Sequence, residues 1–542
     1  MLQQMLWVVV VLIWLAGIWF RIYRQARFFQ IEEYMSTRYV RWWLRRWDRV
    51  LPPYTAAGLV GAVLAAMIGV STLPGMIALV AALVAVWPPD EGEIKKPFRR
   101  TGRATRLLAA AFVWAALALL AGWLVAASFD RAGTQFAGFS LAALVAYLLA
   151  PLWLVLGNWS MTPVEAAFRR RFIAAARGVL ADVRPVVVGI TGSYGKTTTK
   201  TFLTEILNGR WRAYATPKSY NTMMGVCLAI NNDLKQDYSI EYFVVEMGAY
   251  IRGEIQRICG LTPPHISIVT EVGPQHLERF GSLENIAIAK YEIVRALPPD
   301  GIAVFNWDNP YVRDMYERGH PNTRIAVSRQ IDPASAPADG PRFIASNIVE
   351  SLDGLRFTVH DRQTGEQAQF VTPVIGEHNV TNILLATAVA VQQGMSLPDV
   401  ALRVRQLRPA ESRLIRQTTP QGITIINDAY SANPAGVVSA LKVLGMHGGG
   451  RRLVITPGMV ELGDLHETEN RRLGEIIPQY ATDVILVGAQ QTQPIRDGLL
   501  AAGFPQERLQ VVEELREAVD WYQNQLRPGD TVLFLNDLPD TY

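Results

Sequence analysis

The stretch 186–200 reads Val-Val-Val-Gly-Ile-Thr-Gly-Ser-Tyr-Gly-Lys-Thr-Thr-Thr-Lys and carries the residues best suited to phosphate chemistry. Three valines and Ile190 predict a buried strand. Gly192 and Gly195 permit a tight turn at positive φ, and 196–207 has the composition of a helix. Backbone N–H groups of such a turn, with the N-terminus of the helix behind them, favour anions. Gly192, Ser193, Tyr194, Gly195 and Thr198 are therefore expected to cradle phosphates, with Lys196 reaching the β/γ-phosphates of ATP and Thr197 holding Mg²⁺. The usual spacing places a further glycine at 190, where Ile190 stands; the glycine is at 189, so the short form Thr-Gly-x-x-Gly-Lys-Thr-Thr describes the loop. A chance lysine in a solvated glycine turn is the alternative, and the flanking strand and helix weigh against it.

Two more residues stand where chemistry is expected. Glu246 closes a strand at 242–245, and open α/β sheets bind ligands at the carboxyl ends of their strands. A carboxylate there suits Mg²⁺, which prefers oxygen ligands; an ion-paired or helix-capping glutamate is the competing reading. His276 follows a strand at 265–272, on the same sheet edge. A lone histidine is otherwise more often structural.

The elements that position these groups begin near residue 183, where strands and helices start to alternate and imply a parallel sheet covered on both faces. Further strands are expected at 301–306 and 354–360, and a helix at 380–392. Leu407-Arg-Pro-Ala410 reads as a linker to a second α/β unit, with strands at 424–426, 453–456, 483–487 and 531–535 and helices at 435–444 and 513–526.

Residues 1–160 read as membrane sequence. The run 6–20 is uninterrupted apolar sequence with neither a preceding basic residue nor a small-residue cleavage site, which describes a retained anchor. The segment 21–49, with Arg41, Arg45, Arg46, Trp42, Trp43 and other arginines, reads as an amphipathic helix on the inner membrane surface. The apolar run 54–87 is too long for one span and is broken near Pro74-Gly75, so it reads as a hairpin of two short helices with that pair at its tip. Spans at 107–128 and 136–156 follow a second basic stretch that includes Lys95, Arg99 and Arg103. Positive charge marks the cytoplasmic face. The expected arrangement is five spans in the inner membrane, N-terminus outside, with everything after them in the cytoplasm. The fold class is thus an N-terminal α-helical transmembrane region (1–160), a phosphate-loop parallel-sheet domain (161–406) and a Rossmann-like C-terminal α/β domain (407–542).

Across 542 residues the net charge is only +4, and no basic surface interleaved with aromatics suggests nucleic acid. The two cysteines, Cys227 and Cys259, lie in apolar surroundings and read as reduced core residues.

Several stretches together resemble the Mur ligases, the ATP-dependent amide-bond-forming enzymes of peptidoglycan synthesis. They are Thr191-Gly-Ser-Tyr-Gly-Lys-Thr-Thr198, Val245-Glu-Met-Gly248, Gly273-Pro-Gln-His-Leu-Glu-Arg-Phe-Gly-Ser282, Ala289-Lys-Tyr-Glu-Ile293, Gly376-Glu-His-Asn-Val-Thr-Asn382 and Asn427-Asp-Ala-Tyr-Ser-Ala-Asn-Pro434. The last of these, with Val460-Glu-Leu-Gly463, looks most like the member that adds D-alanyl-D-alanine to the muramoyl tripeptide. The resemblance covers roughly 183–540 and implies ATP and Mg²⁺ as cofactors. It implies Thr197, Glu246, His276 and Lys290 as metal ligands, Lys290 falling where the family has a lysine carbamylated by CO₂. Lys196, Lys290 and His276 are the implied catalytic residues. Asn382 resembles the residue that reads adenine, and Arg413 and Asp428 the pair that closes over ATP. Tyr430 and Asn433 are expected in the nucleotide pocket, and Asn221 matches the family's asparagine after the second strand. The implied chemistry is acyl phosphate formation on a carboxylate, followed by displacement of phosphate by an amine.

The chain departs from the family at Thr456-Pro-Gly-Met459, where Gly-Asp-Met is usual, and at Ser431. It departs most at the front, where apolar sequence replaces the domain that grips a UDP-sugar. The implied partners are a UDP- or lipid-linked cell-wall precursor, an amine such as D-Ala-D-Ala, membrane lipid, and other cell-wall enzymes. The rival readings are a membrane amide ligase with another product, such as a polyglutamate-type polymer or a modified lipid-linked precursor, and a non-catalytic scaffold.

Overall fold

The β-branched run that opens the α/β region forms β1 (Val186–Thr191), and helix Lys196–Leu207 starts as soon as the glycine turn ends. The structure is a computed structural model that describes residues 2–32, 34–45, 54–68, 72–88, 97–218, 220–410, 413–429 and 433–536. Two units, Met1–Arg171 and Phe172–Thr541, make up the chain.

In the second unit, β1 lies between β3 (Tyr242–Glu246) and β4 (Ile266–Val269), and all three run parallel. With β2 (Ala213–Ala215), β5 (Ile302–Asn306), β6 (Thr323–Ser328), β7 (Phe343–Ser351), β8 (Gly354–Asp361) and β9 (Gln367–Thr372) they form a nine-stranded sheet in the order β2-β3-β1-β4-β5-β6-β7-β8-β9. The strand order reverses direction at β1, and the crevice beyond its carboxyl end is where such sheets bind ligands. Thr191, Glu246 and Val269 end three adjacent parallel strands, so whatever follows them meets at one edge. Helix Lys196–Leu207 buries Phe202, Leu203, Ile206 and Leu207 in the core on one sheet face. Helix Asn379–Gln392 shares that core and is buried from Asn379 to Ala390, which explains the apolar run that fills most of its length.

A six-stranded sheet follows in the order β10-β11-β15-β12-β13-β14. Its strands are β10 (Ile415–Thr418), β11 (Thr424–Asp428), β12 (Arg452–Thr456), β13 (Asp483–Val487), β14 (Leu509–Val512) and β15 (Thr531–Leu535). All neighbours are parallel except β10 on β11.

The first unit is helical, and it corrects three expectations. The anchor does not stop at residue 20: Leu2–Ile31 is one helix, and the amphipathic segment is the separate, shorter Ser36–Arg45. Basic residues at 21–27 do not break a helix, because Arg is a good helix former. The apolar run 54–87 is indeed a pair of short helices, Thr55–Met67 and Leu73–Ala85, but Pro74 and Gly75 lie in the first turn of the second helix instead of at the tip. Proline is favoured there because its missing N–H has no partner at a helix start. The expected span at 136–156 is divided between Ala132–Leu148 and Ala150–Val183, which bend by 66° at Leu149.

Leu2–Ile31 and Gly102–Ala127 are long and apolar enough to cross a membrane, and the bent pair qualifies as a third if taken together. The two ends of this unit differ in chemistry. At one end Trp7 stacks on Phe136 at 4.3 Å, Leu6 touches Gly75, and Gly133 abuts the carbonyls of Ala65 and Ile68. At the other, Arg103 lies 4.2 Å over Tyr34, Arg100 5.5 Å over Tyr23, and Gln30 exchanges hydrogen bonds with the backbone of Arg99 at 2.9 and 3.0 Å.

Candidate active site

The loop between β1 and helix Lys196–Leu207 has Gly192 at φ +154° and Gly195 at φ +79°. A Cβ on Gly192 would stand 1.8 Å from Thr270 Oγ1, and one on Gly195 2.5 Å from Asn382 Oδ1. Both positions need glycine for conformation and for space. The Lys196 ammonium folds back onto its own loop, donating to Gly192 O at 2.7 Å and Ser193 O at 3.1 Å. Burial brings its pKa down to about 8; Glu246 opposes that shift and Arg413 adds to it.

Glu246, at the end of β3, is 1% exposed. Its Oε2 accepts from Thr197 Oγ1 at 2.9 Å and from the Lys200 ammonium at 3.1 Å, while Oε1 accepts from Asn221 Nδ2 at 3.2 Å. Burial pushes this carboxyl upwards, but Lys200, Lys196 and the Thr197 hydroxyl outweigh it and hold the group below the usual glutamate value. Sequence reasoning missed Lys200, whose only signal is its place one turn after Lys196.

His276, in the loop after β4, takes the left-handed conformation, φ +56°. The ring packs edge-on to Tyr250 at 4.5 Å, and Nδ1 bonds Glu461, which comes from the second α/β domain. Glu461 was not foreseen as a site residue, although it lies within Val460-Glu-Leu-Gly463. Lys290 sits on helix Leu283–Arg295 with 5% exposure. Burial, and then the charge of Lys196, push its ammonium well below the ordinary lysine value. An exposed helix lysine is therefore excluded.

Lys196, Thr197, Glu246, His276 and Lys290 line one cavity of about 570 Å³, together with Arg413 from the second domain. Arg413 also lines a smaller cavity of about 160 Å³ behind the phosphate loop, where Asn382, Asp428 and Asn433 are found. Asn382 is held there by Thr199 Oγ1 at 3.1 Å and Asn379 Oδ1 at 3.0 Å. Asn433 caps helix Pro434–Gly445 through Gly436 N at 2.9 Å, so its carboxamide oxygen is already engaged. Asp428 accepts from Leu414 N at 3.1 Å; burial raises its pKa to about 6 against the opposing charge of Arg413. His378, bonded to Ser439 Oγ at 2.9 Å, is pushed down to about 4 by burial and by Arg329 and Arg413. Tyr430 lies outside the described residues. Among the described residues no three of His, Cys, Asp and Glu cluster as a metal site on their own.

The Mur ligase middle domain matches residues 190–390, and the Mur ligase glutamate ligase domain matches 412–536. The UDP-N-acetylmuramoyl-tripeptide–D-alanyl-D-alanine ligase of Escherichia coli K12 is 31% identical over 327 residues, 60% of this chain and 70% of that protein. The chain belongs to the Mur ligase family. The enzyme of the same name from Bacillus subtilis 168 is 29% identical over 66% of this chain and 74% of its own length. A crystal structure of MurF from Acinetobacter baumannii is similar with a TM-score of 0.58 and 26% identity, covering 68% of this chain and 77% of that one. Like its Mur ligase relatives, the chain is an ATP-dependent acid–amino acid ligase.

The raised pKa of Asp428 has a measurable cost in this Mur ligase. An unfolded aspartate titrates near 3.8, the folded one at about 6. Between those values the folded state holds the extra proton, so this group's contribution to stability falls as pH rises from about 4 through about 6, and its full cost is present above that. Asp428→Asn is expected to stabilise the full chain at pH 7.5, on the order of 1–2 kcal/mol, and this advantage should shrink towards pH 4.5. Thermal denaturation of both proteins at the two pH values measures it; an advantage independent of pH would contradict the assignment.

Proposed function

We propose that this chain is a membrane-anchored ligase that adds D-alanyl-D-alanine, or a similar amine, to a peptidoglycan precursor through an acyl phosphate. The observation that carries this reading is the convergence of Lys196, Thr197, Glu246, His276 and Lys290 with Arg413 of the second domain on one cavity. The amine and the acceptor are those in the names of the similar ligases.

The carboxylate oxygen of the acceptor attacks the γ-phosphorus of ATP, and the bond to the ADP oxygen breaks. The amine nitrogen of the second substrate then attacks the acyl carbon and loses a proton, the C–O bond to the phosphate breaks, and phosphate leaves. Little covalent work falls to the protein in such a transfer; positioning and charge stabilisation dominate. Lys196 meets the charge developing on the phosphoryl oxygens. Its ammonium donates to two carbonyls of the loop, which phosphate oxygens can replace. Asn382, Arg413, Asp428 and Asn433 serve the nucleoside side.

Mg²⁺ fits the donor set at Thr197 and Glu246. Two hard oxygens stand 2.9 Å apart, and this ion is typically held by one or two carboxylates plus substrate phosphates. Bound there it would neutralise phosphate charge. His276 and Lys290 are the further proposed ligands. Burial, and then the charge of Lys196, favour the neutral form of Lys290, and a neutral amine can attack CO₂, form the N–C bond and release a proton, leaving a carbamate anion.

We also propose that the first unit lies in the cytoplasmic membrane, with the arginine-rich end and the α/β domains inside. Ile68, which follows Thr55–Met67, lies beside Gly133, away from Arg99 and Arg103. The acceptor is then UDP-linked, as the names of the relatives indicate, or lipid-linked.

Three measurements test these statements. Lys196→Ala should lower the rate of amide formation 10²- to 10³-fold while the protein stays folded; near-normal turnover with ATP, D-Ala-D-Ala and either acceptor would end the reading. Lys290→Ala should be inactive and regain part of its rate when short carboxylates are added, whereas full activity without them would remove Lys290 from the site. A cysteine at Asp130 should react with an impermeant thiol reagent from outside intact cells, and one at Arg99 should not. The reverse pattern would invert the proposed topology.

A further inference from the structure

Glu271 belongs to no role assigned so far. It follows β4 and lies against the phosphate loop: its backbone carbonyl accepts from Ser193 N at 2.6 Å, and its own N is 3.0 Å from where a Cβ on Gly192 would stand. Its side chain faces the cavity of about 160 Å³ behind that loop, the cavity shared by Asn382, Arg413 and Asp428. The neighbouring charges are already committed. Arg329 bonds Glu377 and, through Nε, Thr381 Oγ1 at 3.1 Å. Asp308 accepts from Ser328 Oγ and from Arg329 N at 2.9 Å. Among the described residues the Glu271 carboxyl has no hydrogen bond or ion pair of its own. Burial, with Asp308 adding to it and Arg329 opposing, pushes its pKa up to about 7. A buried carboxyl left without donors is costly unless a ligand supplies one.

We propose that Glu271 accepts a hydrogen bond from a donor group of the bound nucleoside, either a ribose hydroxyl or the exocyclic amine of adenine. Phosphates are excluded as its partner, because they are anionic and belong to the loop's N–H groups and Lys196. The nucleoside end is neutral and carries donors, and the cavity is lined by Tyr194 and Gly195 of the phosphate loop as well as by Glu271. Asn382 resembles a family residue that reads adenine; Glu271 adds a second contact in the same cavity. This rests on the reading of ATP as substrate.

The test is calorimetric binding to the purified full chain, with ADP, 2′-deoxy-ADP, 3′-deoxy-ADP and inosine diphosphate, for wild type, Glu271→Gln and Glu271→Ala. Wild type should bind ADP and discriminate against the analogue lacking the contacted donor. Glu271→Ala should bind ADP about 10-fold or more weakly and lose that discrimination, as expected for one hydrogen bond to a carboxylate. Which deoxy or deaminated analogue shows the effect identifies the ribose or the base. If Glu271→Ala fails to fold, Glu271→Leu, of similar size and with no acceptor, decides by the same loss of discrimination, while Glu271→Gln, whose amide oxygen still accepts, should keep part of it. Wild-type affinity and wild-type discrimination in folded Glu271→Ala or Glu271→Leu would overturn the inference. Failure of the wild type itself to bind ADP would instead overturn the reading of ATP as substrate.

Discussion

Burial alone would drive the Glu246 carboxyl towards its neutral form, and a neutral acid there could neither hold a cation nor orient Thr197. The fold prevents this by bringing three donors from different segments to one carboxylate. Thr197 and Lys200 come from the helix behind the phosphate loop, and Asn221 from the segment after β2. Lys200 also donates to the Lys218 carbonyl at 2.5 Å, and Gly248 N donates to Asn221 O at 2.8 Å. The carboxylate therefore ties together the phosphate loop, the end of β3 and one wall of the larger cavity. Breaking a buried charge pair by removing one partner typically costs 3–5 kcal/mol, so these segments hold each other in place.

The same cavity concentrates groups that burial disfavours. Lys196 and Lys290 are both buried amines whose pKa values burial lowers, with the charge of Lys196 lowering that of Lys290 further, and Asp428 is a buried acid beside Arg413. His378 is held neutral under Arg329 and Arg413. Arg413, Asp428 and Glu461 come from the second α/β domain, so the cost is shared across two domains. The His276–Glu461 contact joins them.

Local chemistry made much of this legible. The phosphate loop and its flanking elements follow from β-branched residues, two glycines and a helix-forming run. Glu246 was visible because a strand pattern ended on it. Lys290 was legible only by resemblance, since nothing in an Ala-Lys-Tyr-Glu helix segment says that its lysine faces inward; the 5% exposure comes from packing against distant strands. Glu461 and Glu271 escaped for a similar reason, because their importance depends on which residues the fold leaves opposite them. β10 and β14 were missed because they are short and, unlike the equally short but wholly buried β4, are at least partly exposed throughout, so no apolar run marks them. The bend at Leu149 interrupts apolar sequence that reads as continuous, since neither glycine nor proline stands at 149 itself.

The first unit is built by a different rule from the second. Its helices approach through their smallest residues: a Cβ on Gly61 would lie 2.1 Å from that of Ala81, one on Gly122 2.4 Å from that of Ala142, and one on Gly157 2.8 Å from Ala111 N. Trp14, Phe29, Phe136 and Phe139 fill its core, but many other large apolar side chains point outward, with Leu12 57%, Phe20 65%, Val60 55% and Leu120 52% exposed. In water this distribution is unfavourable, because much apolar surface is left outside the core. In lipid there is no such gain to be had between helices, and close backbone packing through small residues is what holds them. Polar groups follow the same logic, for Gln25 and Tyr39 are buried inside the bundle and bond each other at 2.9 Å. The proposed insertion therefore rests on where residues face as well as on how apolar they are. A bundle packed this closely is a folded body in its own right, which a single tethering helix would not need to be.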